Sequence, residues 1–356
     1  MAISARRTAV IDVGSTTAHL AVFDVTEDAP PTCVADRAEP LRLYERRGRD
    51  GRLGDDAIAD LVDALAELLR EAAGQDVERV EVIATAVLRD GDGDRVTARV
   101  REALGLPVEV VTGEEEGRRA AVAALHALPL TDGVAVDLGG GSLQVAEVRD
   151  RRIGRVASLP LGALRLLLRH PCDDPPSHVT VTGLRREIRA ALAAVPWLAE
   201  GQLVGMGGTL RTLGRIDRRA RAWAVPHGHG YALTLDAVES IWELVSRVPA
   251  DARRSIAGLP DHRVDLVVPG ALVALWLLRA GGHETLRLCD PGLREGTVLR
   301  HREPPPVDAM RIAGLRDRFG ADPDADAAWE AALRLAPLLG EPATPALGAA
   351  AWLCAR

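Results

Sequence analysis

The chain has 356 residues, enough for two domains with separate cores, and it is 47% apolar and 27% charged, as in ordinary globular proteins. Its net charge of −7 argues against general nucleic-acid binding, and no apolar run reaches the ~18–20 residues that span a bilayer. Cys33, Cys172, Cys289 and Cys354 are scattered, without metal-type spacing or a disulfide framework, and the opening residues lack the apolar stretch of a signal peptide, so a cytoplasmic protein is expected.

In chain order, residues 8–14 and 17–25 read as a hairpin, and residues 33–44 as a third strand. Asp55 to Ala73 reads as a helix, because Ile58, Leu61, Val62, Leu65, Leu68 and Leu69 recur at helical spacing. A buried strand over 79–85, a helix over 94–104, a strand over 108–111 and a helix over 114–128 follow. The second half repeats the theme, with strands at 133–138, 142–149 and 152–160 and helices near 161–169 and 178–194. Strand 202–206 leads into a helix at 209–215. Helices at 234–247 and 264–281 and a strand at 284–289 complete the pattern. Alternating strands and helices predict an α/β fold with sheets covered by helices. The join between halves lies near 125–132, and Pro304-Pro305-Pro306 ends the second.

One turn occurs twice. Val10-Ile11-Asp12-Val13-Gly14-Ser15-Thr16 and Val136-Asp137-Leu138-Gly139-Gly140-Gly141-Ser142 each bring an Asp from an apolar strand into a Gly-rich turn that ends in a hydroxyl. Glycine lets a phosphate oxygen approach backbone N–H groups, and the Asp at the strand end is able to hold a divalent ion or its water. Two copies heading two halves suggest a duplicated fold that closes on a phosphate from both sides.

Four further segments carry chemistry: Ala84-Thr85-Ala86-Val87-Leu88-Arg89-Asp90, Thr112-Gly113-Glu114-Glu115-Glu116-Gly117-Arg118, Gly205-Met206-Gly207-Gly208-Thr209 and Asp290-Pro291-Gly292-Leu293-Arg294-Glu295-Gly296. In this order, from about Thr8 to Leu299, they resemble the exopolyphosphatase and guanosine pentaphosphate phosphatase family of the actin, sugar kinase and heat-shock-70 superfamily. The resemblance implies two RNase H-like, actin-like domains facing each other across a cleft, over residues 1–125 and 126–303. A helical tail over 304–356 would be a truncated remnant of the longer members' HD-like domain, without a second active site.

The resemblance also assigns roles. Glu116 matches the general base, its pKa raised by Glu114 and Glu115 nearby; without the family, all three acids are explained by the helix dipole. Asp137 matches a Mg²⁺ ligand. Gly139, Gly140, Gly141 and Ser142 would cradle the phosphate from one lobe, and Gly14, Ser15 and Thr16 from the other. Arg89 matches a phosphate-contacting Arg, against a salt bridge to Asp90 or Asp92. Gly207, Gly208 and Thr209 match the adenosine turn of related kinases and would line the substrate channel, or simply make a tight turn. Arg294 and Glu295 read as a structural ion pair rather than channel residues. His227 and His229 serve either a loop or a substrate contact.

Two positions depart from the family pattern. Thr16 stands where Asn is usual. The chain has no Asn and no Lys, both encoded by A/T-rich codons, so genomic bias accounts for the change. Gln144 stands where the family has a Mg²⁺-binding Glu, and it keeps one oxygen ligand but no charge. The outcomes are a weaker enzyme, a compensating carboxylate such as Glu147, or a binder without turnover. The expected function is an exopolyphosphatase, a phosphoric anhydride hydrolase using Mg²⁺. The rivals are guanosine pentaphosphate hydrolysis and a degenerate binder of polyphosphate or nucleotide. Family resemblance also carries an expectation of a homodimer.

Overall fold

The structure is a computed structural model and describes residues 6–26, 30–171, 173–223 and 227–307. The expected tail lies outside the described residues from 308 onward. The first half contains β1 (Arg6–Val13), β2 (Thr17–Val25), β3 (Thr32–Pro40), α1 (Asp55–Ala73), β4 (Arg79–Ala84), α2 (Ala86–Arg89), α3 (Gly93–Leu104), β5 (Val108–Val110) and α4 (Gly113–Ala127). The second contains β6 (Gly133–Leu138), β7 (Leu143–Arg149), β8 (Arg152–Leu159), α5 (Ala163–Arg169), α6 (His178–Leu192), β9 (Gln202–Met206) and α7 (Gly208–Ala220). Then come β10 (Ala232–Thr234), α8 (Leu235–Arg247), α9 (Ala250–Arg253), α10 (Val267–Gly281), β11 (Thr285–Leu288) and α11 (Leu293–Leu299).

The duplication is explicit in the sheets. The first runs β3-β2-β1-β4-β5, and the second β8-β7-β6-β9-β11 with β10 added at its edge. In both, the first three strands are antiparallel and the next pairings are parallel. These are the two actin-like lobes of a mixed α/β protein.

Each sheet is covered on both faces, as parallel strands require. Ala9, Ile11 and Val13 of β1 pack with Leu61, Leu65 and Leu68 of α1. The opposite face of that sheet, through Val10 and Ile83, meets Leu293 of α11. In the second sheet, Val134, Val136 and Val145 pack with α6, α7, α8 and α10. Its other face, through Ala135, Ala146 and Val204, carries Ala120, Ala121 and Ala124 of α4. Helix α4 thus packs on the second sheet although it follows the first in sequence. A side chain at Gly296 of α11 would collide with the Arg119 carbonyl, so α11 seats directly on α4.

Several elements differ from the sequence reading. The third strand ends at Pro40, because Leu41 and Arg42 donate their N–H groups to the Thr16 carbonyl and the chain turns into a 3₁₀ segment at Leu43–Arg46. Helix α7 runs five residues past the expected end, to Ala220. Helices α2, α9 and α11 and strand β10 are too short to show a periodic pattern.

Candidate active site

The two duplicated turns have the same geometry. Gly14 N–H donates to the Thr17 carbonyl at 2.9 Å, and Gly139 N–H to the Ser142 carbonyl at 3.0 Å. Across each hairpin the Asp faces an equivalent residue: Asp12 opposite His19, and Asp137 opposite Gln144. The third turn follows β9. Gly207 takes φ 92° there, and a side chain would meet Leu138 O and Asp137 Oδ1, so glycine is required for both reasons.

The three turns converge on one cleft of about 280 Å³. It is lined by Gly14, Ser15, Thr16, Glu116, Asp137, Gly139, Gly140, Gly141, Ser142, Gly207, Gly208 and Thr209, as the sequence pattern requires. Arg89 and Gln144 are not among its lining residues. Arg89 Nη1 donates to Glu116 Oε2 at 2.9 Å and to the Val111 carbonyl at 3.0 Å, while its Nε is 3.7 Å from Asp90. Gln144 is 1% exposed. Its amide donates to Ser142 Oγ at 2.7 Å and Ser158 Oγ at 3.2 Å, and its Oε1 is buried without a partner.

Glu116 is positioned by the helix that carries it. Thr112 Oγ1 accepts the Glu115 N–H and caps α4. Gly113 and Gly117 lie one turn apart on the face toward the sheet. A Cβ at Gly117 would lie 2.7 Å from Val156 and 3.1 Å from Gln144, and one at Gly113 would overlap Ser158. Only a glycine pair lets α4 lie this close to β7 and β8. Glu115 instead turns to Arg119, at 2.7 Å.

Burial governs the electrostatics. It pushes Glu116 up to about 8, against the opposing Arg89, with Asp137 and Asp12 adding to the rise. The neighbours Glu114 and Glu115, expected to raise it, are not the cause. Burial likewise raises Asp12 to about 7 and Asp137 to about 6. Asp12 Oδ1 is buried without a hydrogen-bond partner. Two hard carboxylate donors that line the cleft, with no ion pair to either among the described residues, fit a divalent ion. Among the described residues no three acidic, His or Cys side chains form a metal cage.

Other lining residues carried no motif or were read differently. The sequence reads Asp12 as an Asp able to hold an ion, but the family resemblance assigns the metal to Asp137; in the structure both line the cleft. Arg211, His262 and Arg263 also line the cleft, and Arg211 Nη1 donates to the Asp290 carbonyl at 2.7 Å. Burial, then Arg211 and Arg215, lower Arg263 to about 10. Its guanidinium closes over Gly208, where any side chain would strike it. Arg294 and Glu295 do not pair with each other. Arg294 binds Asp36 at 3.1 Å and lines the cleft, while Glu295 accepts the Gly292 N–H at 2.8 Å. His229 bonds the Ala127 carbonyl and accepts the Asp290 N–H, which is a loop role. Glu147 cannot compensate for Gln144, because Arg155 holds it at 2.7 Å and Arg149 at 2.5 Å. No helix among the described residues is long and apolar enough to cross a membrane.

The model of the Ppx/GppA phosphatase family matches residues 21–303. Exopolyphosphatase 1 of Mycobacterium leprae is 32% identical over 331 residues, covering 90% of this chain and 97% of that protein. The crystal structure of the Aquifex aeolicus Ppx/GppA family member is 28% identical, with a TM-score of 0.73 over 84% of this chain and all of its own. An exopolyphosphatase structure from Cytophaga hutchinsonii shares the fold at 22% identity, with a TM-score of 0.76 over 82% of this chain and 96% of its own.

Proposed function

The chain belongs to the Ppx/GppA phosphatase family, and we propose that it removes terminal orthophosphate from linear inorganic polyphosphate. The observation that carries this reading is the lining of the cleft. It presents Arg211 and Arg263, and its described residues include His19 and His262 but no Phe, Tyr or Trp to stack a base. A chain of phosphates suits such a surface better than a nucleoside does.

In this reading the terminal phosphate lies between the two duplicated turns, with backbone N–H groups and the Ser15 and Ser142 hydroxyls around it. Glu116 takes a proton from the attacking water. The water oxygen bonds to the terminal phosphorus as the bridging P–O bond breaks. The electron pair leaves on the shortened chain, and orthophosphate is released. Asp12 and Asp137 would hold a divalent cation, Mg²⁺ in this proposal, which supplies charge neutralisation at the phosphoryl oxygens. Few carboxylates per ion fit Mg²⁺, which keeps waters and shares phosphate oxygens. Gln144 acts on that site through Ser142, and Arg89 acts by holding Glu116.

Orthophosphate release from polyphosphate and from guanosine pentaphosphate, measured across a Mg²⁺ titration, tests the reading. Polyphosphate is expected to be the better substrate, and Glu116→Gln to lower kcat by about 10²–10⁴-fold. Preference for the nucleotide would reassign the substrate. Full activity in Glu116→Gln would remove the base.

A further inference from the structure

The four-residue helix α2 carries two charges that leave it in different directions. Arg89, its last residue, reaches Glu116 at 2.9 Å. Asp90, its C-cap, pairs with Arg165. Arg165 comes from the other lobe. It lies on α5, and its backbone N–H donates to the Gly140 carbonyl of the second phosphate turn at 3.0 Å. One residue therefore starts on a phosphate turn and ends on the helix that carries Arg89.

The surroundings hold that side chain in place. It is 13% exposed, and its guanidinium carbon lies 5.2 Å from the centre of the Tyr44 ring. Tyr44 in turn donates its N–H to the Ser15 carbonyl of the first phosphate turn, at 3.2 Å. Arg47 also lies over the Tyr44 ring, at 5.0 Å, and donates to the Asp90 carbonyl. A planar guanidinium can stack and pair at once, which an ammonium does not. A single helical turn has little stability of its own, so the orientation of α2 depends on what grips its ends.

We propose that Arg165 is a positioning residue for hydrolysis: it clamps α2 to the second phosphate turn and so keeps Arg89 against Glu116. The proposal rests on Glu116 being the base. Both phosphate turns and the Arg89–Glu116 pair thus share one network of contacts.

Amide exchange of residues 86–91 and polyphosphate kinetics in Arg165→Gln provide the test. Exchange in that segment is expected to speed up by about tenfold or more while exchange in β6 is unchanged. The kcat is expected to fall about 10–100-fold with KM within about twofold. Arg89→Gln combined with Arg165→Gln is expected to be no slower than Arg89→Gln alone. Asp90→Ala removes the same contact from the first lobe, and it provides the measurement if Arg165→Gln does not fold. Unchanged exchange at 86–91, a rise in KM with kcat unchanged, or losses that multiply in the double variant would each overturn the clamp. Turnover retained in Glu116→Gln would sink the base alone, and the exchange result would then decide whether Arg165 holds α2.

Discussion

Gln144 is the departure from the family pattern that bears most directly on the proposed metal site. It is not among the residues lining the cleft, and it donates to two hydroxyls whose protons can turn away. A carboxylate at that position would accept from both hydroxyls and bring a negative charge close to Asp137, its cross-strand partner. Gln144→Glu is therefore expected to lower the Mg²⁺ concentration for half-maximal activity several-fold, by about 1 kcal/mol of added attraction. The same buried charge is expected to lower the melting temperature in EDTA. Unchanged Mg²⁺ dependence in a metal titration of the variant would show that position 144 does not reach the cation. The family pattern had marked this residue in the sequence. That its amide bonds Ser142 was not legible, because strand alternation gives a face but not the depth of a side chain.

At the scale of elements, helix-to-sheet distance decides the site. Gly113 and Gly117 bring α4 onto β7 and β8, and Gly296 brings α11 onto α4. The sequence shows these glycines inside segments read for their charged residues. In the structure each leaves room for a close approach, Gly113 and Gly117 to side chains of β7 and β8 and Gly296 to the backbone of α4. Gly296→Ala would force α11 away from Arg119, which is itself buried and tied to Glu109 and Glu115. The expected cost is about 3 kcal/mol, read from denaturant unfolding. A change within about 0.5 kcal/mol, ordinary for a surface site, would mean that α11 is not seated there. Helix α11 itself was missed in the sequence, since seven residues show barely two turns of periodicity.

For the whole molecule, the cleft sets the pH dependence. Asp12, Asp137 and Glu116 stand at about 7, 6 and 8 in the metal-free protein, above the ordinary carboxylate range. The folded state therefore holds more protons than the unfolded chain between those values and the ordinary ones. The resulting stability is complete below pH ~4 and is lost as pH rises through ~6–8. In EDTA, the melting temperature contributed by these groups is expected to fall between about pH 5 and 9, and Mg²⁺ is expected to flatten that fall by favouring the ionised forms. Calorimetry at several pH values, with and without Mg²⁺, checks this. An equal Mg²⁺ effect at every pH would place the cation away from these acids.

The duplicated turns and the alternating elements by themselves determined a duplicated α/β fold, because strand-to-turn chemistry and hydrophobic periodicity are local; the ordered motifs carried the resemblance to a phosphatase family. Tertiary structure alone decided that α4 packs on the second sheet, that Arg211 and Arg263 line the cleft, and that Arg165 reaches Asp90. Those arrangements depend on residues far apart in the chain, and no local pattern records where such side chains meet.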